Sequence, residues 1–343
     1  MTHEFKKIID GYQKAQQAGL KAVLATVVDL KGSSYRKPGV RMLLLEDGQM
    51  IGAVSGGCVE KEVFRQSEEV FETGKAKMMT YDGRFRLGCE GILYILLEPF
   101  EPTDGLFTAF RQCMNERTAF EFISLYDHRE GVQVGIGSMV KFAGNQVFAI
   151  SGKASVADQA AESTLPAFVQ QLPPCFKLVI IGAEHDAVQL CLFASLNGWE
   201  VTVVHGALET KSLANFPGAH QVLHVDADNL EALQIDEETA VVMMTHNFAK
   251  DLTYLATLQH EKMSYIGVLG PIKRREKLIA QLLETNADIN TSFLEKLHGP
   301  AGLNIGAVTP QEIAISIIAE ILAVMRDKTP HKLSELAGPI HAS

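Results

Sequence analysis

Lys177-Leu-Val-Ile-Ile-Gly-Ala-Glu-His-Asp-Ala187 is the stretch that decides how the second half of this 343-residue chain folds. Lys177–Ile181 is a short, uninterrupted apolar run, the pattern of a strand buried on both faces, and Gly182–Ala187 is a tight turn. A helix is expected over 188–197, stopped by Gly198, and Glu200-Val-Thr-Val-Val204 reads as a second strand, completing a βαβ unit. The alternation continues with strands at 240–244 and 265–269 and helices at 251–260 and 273–283. Strands and helices taking turns in this way predict a Rossmann-like, doubly wound parallel sheet. The last long helix carries its own start signal: Thr309 as N-cap, Pro310 at the first helical position and Glu312 closing a capping box, with the helix running to about Met325. Its isoleucines point nearly all round, so it is expected to be buried, against the sheet or at a subunit contact.

Upstream of this unit the pattern is α+β, so the fold class is α/β: an N-terminal α+β domain followed by the Rossmann-like domain. A helix is expected over 4–17, strands at 22–28, 40–45 and 50–54, and a helix from Cys58 to Thr73 ended by Gly74. Strands at 78–81 and 92–97, a helix at 104–115, and strands at 120–126, 138–142 and 147–150 complete the domain. Residues 151–174 run through small and polar residues to Pro173-Pro174, which reads as a linker. The expected organisation is therefore 1–150, a linker at 151–174, a Rossmann-like domain at 175–327 and a tail at 328–343.

Composition narrows the function. With 31 Lys+Arg against 41 Asp+Glu the net charge is −10, which disfavours nucleic acid as a partner. Five cysteines, at 58, 89, 113, 175 and 191, form no CxxC pair, so neither a disulfide framework nor a structural zinc site is indicated. Reduced thiols fit a cytoplasmic protein. No stretch approaches the roughly 20 apolar residues of a membrane span.

Three loops carry candidate chemistry. The turn at Gly182 stands where a dinucleotide fingerprint would, directly after a strand and opening a helix. Its second glycine position is Glu184, which adds bulk and negative charge beside any pyrophosphate, and the second strand ends in His205 rather than an acidic ribose-binding residue. NAD(P) is disfavoured on both counts. Gly32–Arg41 joins two strands with Ser33, Ser34, Arg36 and Arg41, a set suited to cradling an anion, or else a solvated hairpin loop. Ser55-Gly56-Gly57-Cys58-Val59-Glu60 lies where a strand becomes a helix. A thiol there is acidified by the helix dipole and suits soft metals and sulfur, although a small buried cysteine satisfies the same pattern. Cys89 sits in a second glycine-flanked turn, and the other three cysteines read as core.

These segments, GSSYRKPGVRM from Gly32, GQMIGAVSGGCVE from Gly48, LGCEGILYILLEP from Leu87, YIGVLGPIKRREKL from Tyr265 and LHGPAGLNIGAVTPQEIAISIIAEI from Leu297, together resemble the xanthine dehydrogenase accessory factor family of the XdhC/CoxI type. The chain departs from the family's GAGHxG turn at Glu184 and Ala187, and from its GCGG motif at Glu90. The resemblance implies an accessory protein or chaperone that binds molybdenum cofactor (molybdopterin), protects it during sulfuration and delivers it to a molybdenum hydroxylase such as xanthine dehydrogenase. It also implies a homodimer, a place in purine catabolism, and a cysteine desulfurase as a further partner. Cys58 would be its molybdenum or sulfur contact, and His246, Asp251, Arg274, Arg275 and Gly302 would add to the cofactor-binding set. The competing reading is an NAD(P)-dependent oxidoreductase using the Rossmann-like half. Against a self-sufficient molybdenum hydroxylase stands the lack of iron–sulfur cysteine clusters. A dimeric scaffold without a ligand would leave the glycine-rich loops unexplained.

Overall fold

The computed structural model describes residues 1–32, 37–55, 57, 59–83, 91–152, 163–206, 210–286 and 289–335. The chain divides into two compact units, Met1–Pro174 and Cys175–Ser343.

The first unit contains two antiparallel sheets. One has the order β3-β2-β1-β5-β4-β7, built from β1 (Ala22–Lys31), β2 (Arg41–Leu45), β3 (Met50–Gly52), β4 (Lys77–Asp82), β5 (Ile92–Pro99) and β7 (Gly131–Val132). The other has the order β10-β6-β8-β9, from β6 (Phe120–Leu125), β8 (Gly137–Lys141), β9 (Val147–Ala149) and β10 (Ala167–Leu172). Strand β1 is buried on both faces and sorts its side chains by the two-residue period. Ala22 and Leu24 join Phe5, Ile8 and Tyr12 of α1 (Thr2–Gln17), whereas Val23, Ala25 and Val27 join Val63 and Val70 of α2 (Glu60–Thr73). Gly74 ends α2 in the left-handed conformation (φ 63°), its N–H returning to the Val70 carbonyl, the stop its position in sequence implied. Helix α3 (Asp104–Asn115) begins on Thr103, whose hydroxyl accepts from the Leu106 N–H.

Two expectations are corrected here. Helix α2 starts at Glu60 with Val59 as N-cap, not at Cys58. Within the expected linker, Ala167–Leu172 is a strand paired along β6 from Ala167↔Leu125 to Leu172↔Phe120, so the first unit extends to Pro174. Its inward positions are Gln170 and Leu172, and the inward glutamine erased the apolar alternation that marks a strand.

The second unit is a six-stranded, all-parallel sheet, in the order β13-β12-β11-β14-β15-β16. Its strands are β11 (Lys177–Ile181), β12 (Glu200–His205), β13 (Gln221–His224), β14 (Thr239–Met243), β15 (Tyr265–Val268) and β16 (Leu297–His298). Leu178 and Ile180 of β11 face α4 (His185–Leu196) and α8 (Pro310–Met325). Val179 and Ile181 face α5 (Phe248–Leu258), α6 (Ile272–Thr285) and α7 (Thr291–Glu295). Both faces are covered, as a parallel sheet requires. Strand order reverses between β11 and β14, so the crevice beyond their carboxyl ends is the topological switch point. The Thr309–Glu312 capping box is formed, with Glu312 held below the usual carboxylate range by the Thr309 and Val308 N–H groups. Helix α8 packs on α4 through Ala314, Ile317, Ile318 and Ile321, leaving Ile315 and Val324 exposed. Among the described residues no helix is long and apolar enough to cross a membrane.

Candidate functional site

In the first unit, Ser33, Ser34, Arg36, Gly56, Cys58 and Cys89 lie outside the described residues. The remaining candidates are placed. Ser55 and Glu60 form a closed knot at the start of α2. The Ser55 N–H and hydroxyl both donate to the Glu60 carboxylate (2.8–3.0 Å), the Val59 N–H donates to it at 3.2 Å, and the Gly57 N–H donates to the Ser55 hydroxyl at 3.2 Å. Burial alone would raise the Glu60 pKa, but these hydrogen bonds outweigh it and hold the carboxyl below its ordinary value. A helix start attracts an anion, and here the chain supplies one from Glu60 itself. Gly57 is exposed and adopts φ 117°, with open space where a Cβ would stand.

Arg41 departs from its expected role as an anion ligand. It is 5 % exposed, donates through Nη1 to the Gly39 carbonyl and to Gln170 Oε1, and lies 3.6 Å over the Phe122 ring. Its position on β2 directs it between the two sheets, because a strand alternates its side chains and this one faces inward. A surface cleft of about 520 Å³ between α1 and β2–β3, lined by Lys7, Lys14 and Gln49 among others, contains none of the predicted site residues.

In the second unit the switch point is assembled from four segments. Gly182 (φ 133°) follows β11 and lies so close to β14 that a Cβ there would stand 2.3 Å from the Met244 carbonyl oxygen. Glu184, exposed, is the N-cap residue of α4 but makes no side-chain cap, so its carboxylate stands at the helix start. Beyond β14, His246 is exposed and held at φ 52°, a conformation bulky L-residues rarely adopt and one that concentrates at binding sites. Thr245 fixes this corner: its hydroxyl donates to Asp251 Oδ1 at 2.5 Å and accepts from the Asn247 N–H at 3.1 Å, while the Asn247 side chain caps α5 through the Lys250 N–H. Asp251 is 1 % exposed and bonds Arg274 Nη2 at 2.6 Å. The buried Asp251 carboxylate therefore positions the Arg274 guanidinium. Gly270 (φ 122°) makes room for this, since a Cβ there would meet Arg274 Cδ at 2.7 Å.

Two predicted residues belong elsewhere. Arg275 donates from Nε to the Leu297 carbonyl, its stem filling the space beside Gly299. Gly302 (φ 112°) lies under α8 against Ser316, its N–H donating to Glu320 Oε2. Glu320 is a hub that residue-level reasoning missed. It also accepts from the Tyr265 hydroxyl (2.5 Å) and pairs with His298 Nδ1 (3.3 Å), whose ring stacks on Tyr265. Burial opposes its ionisation, but these donors prevail and keep the carboxyl below the ordinary range. The signal was a lone glutamate within the otherwise apolar last turns of α8. Cys113, Cys175 and Cys191 are buried, and burial pushes the Cys191 thiol up to about 11.

Comparison with known proteins follows the same division of the chain. Residues 178–321 match the XdhC Rossmann domain, and residues 15–82 match the XdhC and CoxI family. A Bacillus subtilis (strain 168) protein described as a probable xanthine dehydrogenase subunit is 29% identical over 340 residues, covering 93% of this chain and 96% of that protein. The molybdenum cofactor insertion chaperone PaoD of Escherichia coli (strain K12) is 22% identical over 330 residues, covering 94% and 90%. A crystal structure described as a xanthine dehydrogenase from Bacillus halodurans superposes with a TM-score of 0.75 at 26% identity, covering 96% of this chain and 97% of that one. Matched in both units and along nearly its whole length, the chain belongs to the XdhC and CoxI family.

Proposed function

We propose that this protein is an accessory factor that binds molybdenum cofactor as cargo, shelters it while its sulfido ligand is installed, and delivers it to xanthine dehydrogenase or a related molybdenum hydroxylase. The observation that carries this reading is the end-to-end likeness to a molybdenum cofactor insertion chaperone, spanning both units and not only the widely shared Rossmann sheet. The switch point supports it chemically. Molybdopterin carries a phosphate, and Arg274, preorganised by Asp251, offers a fork-shaped cation beside exposed His246 at the carboxyl end of the sheet. The cargo's dithiolene and metal call for soft, thiol-bearing surroundings, for which Cys58 and Cys89 are the sequence candidates. A cysteine desulfurase would supply the sulfur, and the working unit would be a cytoplasmic homodimer serving purine catabolism.

Titration of the purified full-length chain with released molybdenum cofactor, followed by absorbance and calorimetry, tests this directly. Binding is expected in the wild type. It should weaken by about tenfold or more in Cys58→Ser, which keeps the volume but loses the soft sulfur, and remain unchanged in Cys191→Ser. Absence of binding by the wild type would overturn the function, and equal retention by Cys58→Ser would return Cys58 to a packing role.

A further inference from the structure

Three neighbouring strands of the first unit aim polar side chains into the seam between its two sheets. Arg41 comes from β2, Thr26 from β1 and Glu98 from β5, and all three are buried, at 5 %, 0 % and 1 % exposure. The register places them on one face: Thr26 is directly opposite Arg41, and Glu98 is opposite Leu24, two residues along from Thr26. The facing sheet supplies only part of what they need. Arg41 Nη1 is satisfied by the Gly39 carbonyl and Gln170, and Glu98 is held by Ser138 through its side chain and through its N–H, which donates to Oε2 at 2.7 Å. Among the described residues, Arg41 Nε and Nη2, Glu98 Oε1 and Thr26 Oγ1 remain without a hydrogen-bond partner. A direct Arg41–Glu98 bond through these atoms would have satisfied both sides, so the two opposite charges stand apart in the interior.

Nearly all buried polar groups in folded proteins find a partner, and charged ones are the costliest to leave without. The orphaned set here comprises the single N–H of Arg41 Nε and the two of Nη2, one oxygen of the Glu98 carboxyl and one hydroxyl. A water molecule meets each of these atoms once: its two lone pairs accept one N–H from Nε and one from Nη2, while its hydrogens go to Glu98 and Thr26. An ammonium ion has no lone pair for Arg41, and an anion would be repelled by Glu98 whenever that carboxyl is ionised. We propose that the first unit encloses an ordered water between its sheets that bridges Arg41 to Glu98 and Thr26. The site matters for the neighbouring loop as well. Gly39 (φ 99°), two residues before Arg41, ties this loop to the cluster: Arg41 holds its carbonyl, and a Cβ there would stand 2.3 Å from Gln170 Nε2 and displace that side chain from Arg41.

The full-length protein provides two readouts. A crystal structure at about 1.5 Å should show a peak within hydrogen-bond distance of Arg41 Nη2 and Glu98 Oε1. Thr26→Val, which exchanges the hydroxyl for a methyl of the same shape, should lower Tm by about 2–4 °C because the water loses a partner. In a dry seam the same substitution removes an orphaned hydroxyl and raises Tm. A direct Arg41–Glu98 contact, an empty seam in the map, or a raised Tm for Thr26→Val overturns the proposal.

Discussion

Glu98 shows how one residue can set the stability of a unit. Burial pushes its pKa up to about 7, opposed by hydrogen bonds from Ser138 and by the positive charge of Arg41, on which Glu4 of α1 also acts. Arg41 itself is lowered to about 9 by burial and stays charged at neutral pH. Because the folded-state value of Glu98 exceeds the ordinary 4.5, the native protein binds the proton more tightly than the unfolded chain between those limits. Its contribution is full below pH 4.5 and is lost as pH rises toward 7, by up to roughly 3 kcal/mol. Thermal melts from pH 4.5 to 8 should show the first unit weakening across that window, and Glu98→Gln should flatten the slope. A wild-type slope identical to that of the variant would assign the effect to other groups. None of this was legible in sequence, where Arg41 reads with Arg36 as a cation of the Gly32–Arg41 loop. Only the register of β2 reveals that it faces inward.

At the scale of elements, legibility followed the strength of the local signal. Strand β11, helix α3 and helix α8 were readable to within a residue; β11 and α8 are bounded by strong punctuation, proline and glycine around β11 and the Thr309 cap before α8. Short β13, β16 and β10 escaped, two being only four and two residues long and the third carrying its polar side chain inward. Gly182 belongs to this scale too, since it joins β11 to α4 and also abuts the end of β14. Gly182→Ala would force both an unfavourable backbone angle and a collision with the Met244 carbonyl, neither of which a flexible side chain can relieve. We expect a loss of roughly 3 kcal/mol or more, read by denaturant unfolding of the second unit. A loss below about 1 kcal/mol would mean that the two turns are less tightly joined than their geometry implies. The candidate site was legible in part for the same reason. Asp251 and Arg274 stand 23 residues apart in sequence, yet each begins a helix after a parallel strand, and such helices converge at one end of the sheet.

For the whole molecule, the strand order of the second unit is that of dinucleotide-binding sheets, and the side chains at its switch point decide whether a dinucleotide enters. Exposed Glu184 places a carboxylate at the start of α4, where a pyrophosphate would approach. Binding of NAD(H) is therefore expected to be weaker than about 100 µM by calorimetry, and Glu184→Gly should strengthen it several-fold. Micromolar affinity in the wild type would reopen the oxidoreductase reading. The first unit has a different whole-molecule property. The Thr2 hydroxyl donates to the Pro173 carbonyl at 2.6 Å, so the beginning of this unit meets its end, and β10 is the last strand to join its sheet. Every residue its core requires is thus encoded before the second unit begins. During synthesis the first unit can close while the rest of the chain is still being translated, and in the finished protein its adjoining ends make it a natural candidate for circular permutation through a short linker from residue 174 to residue 1.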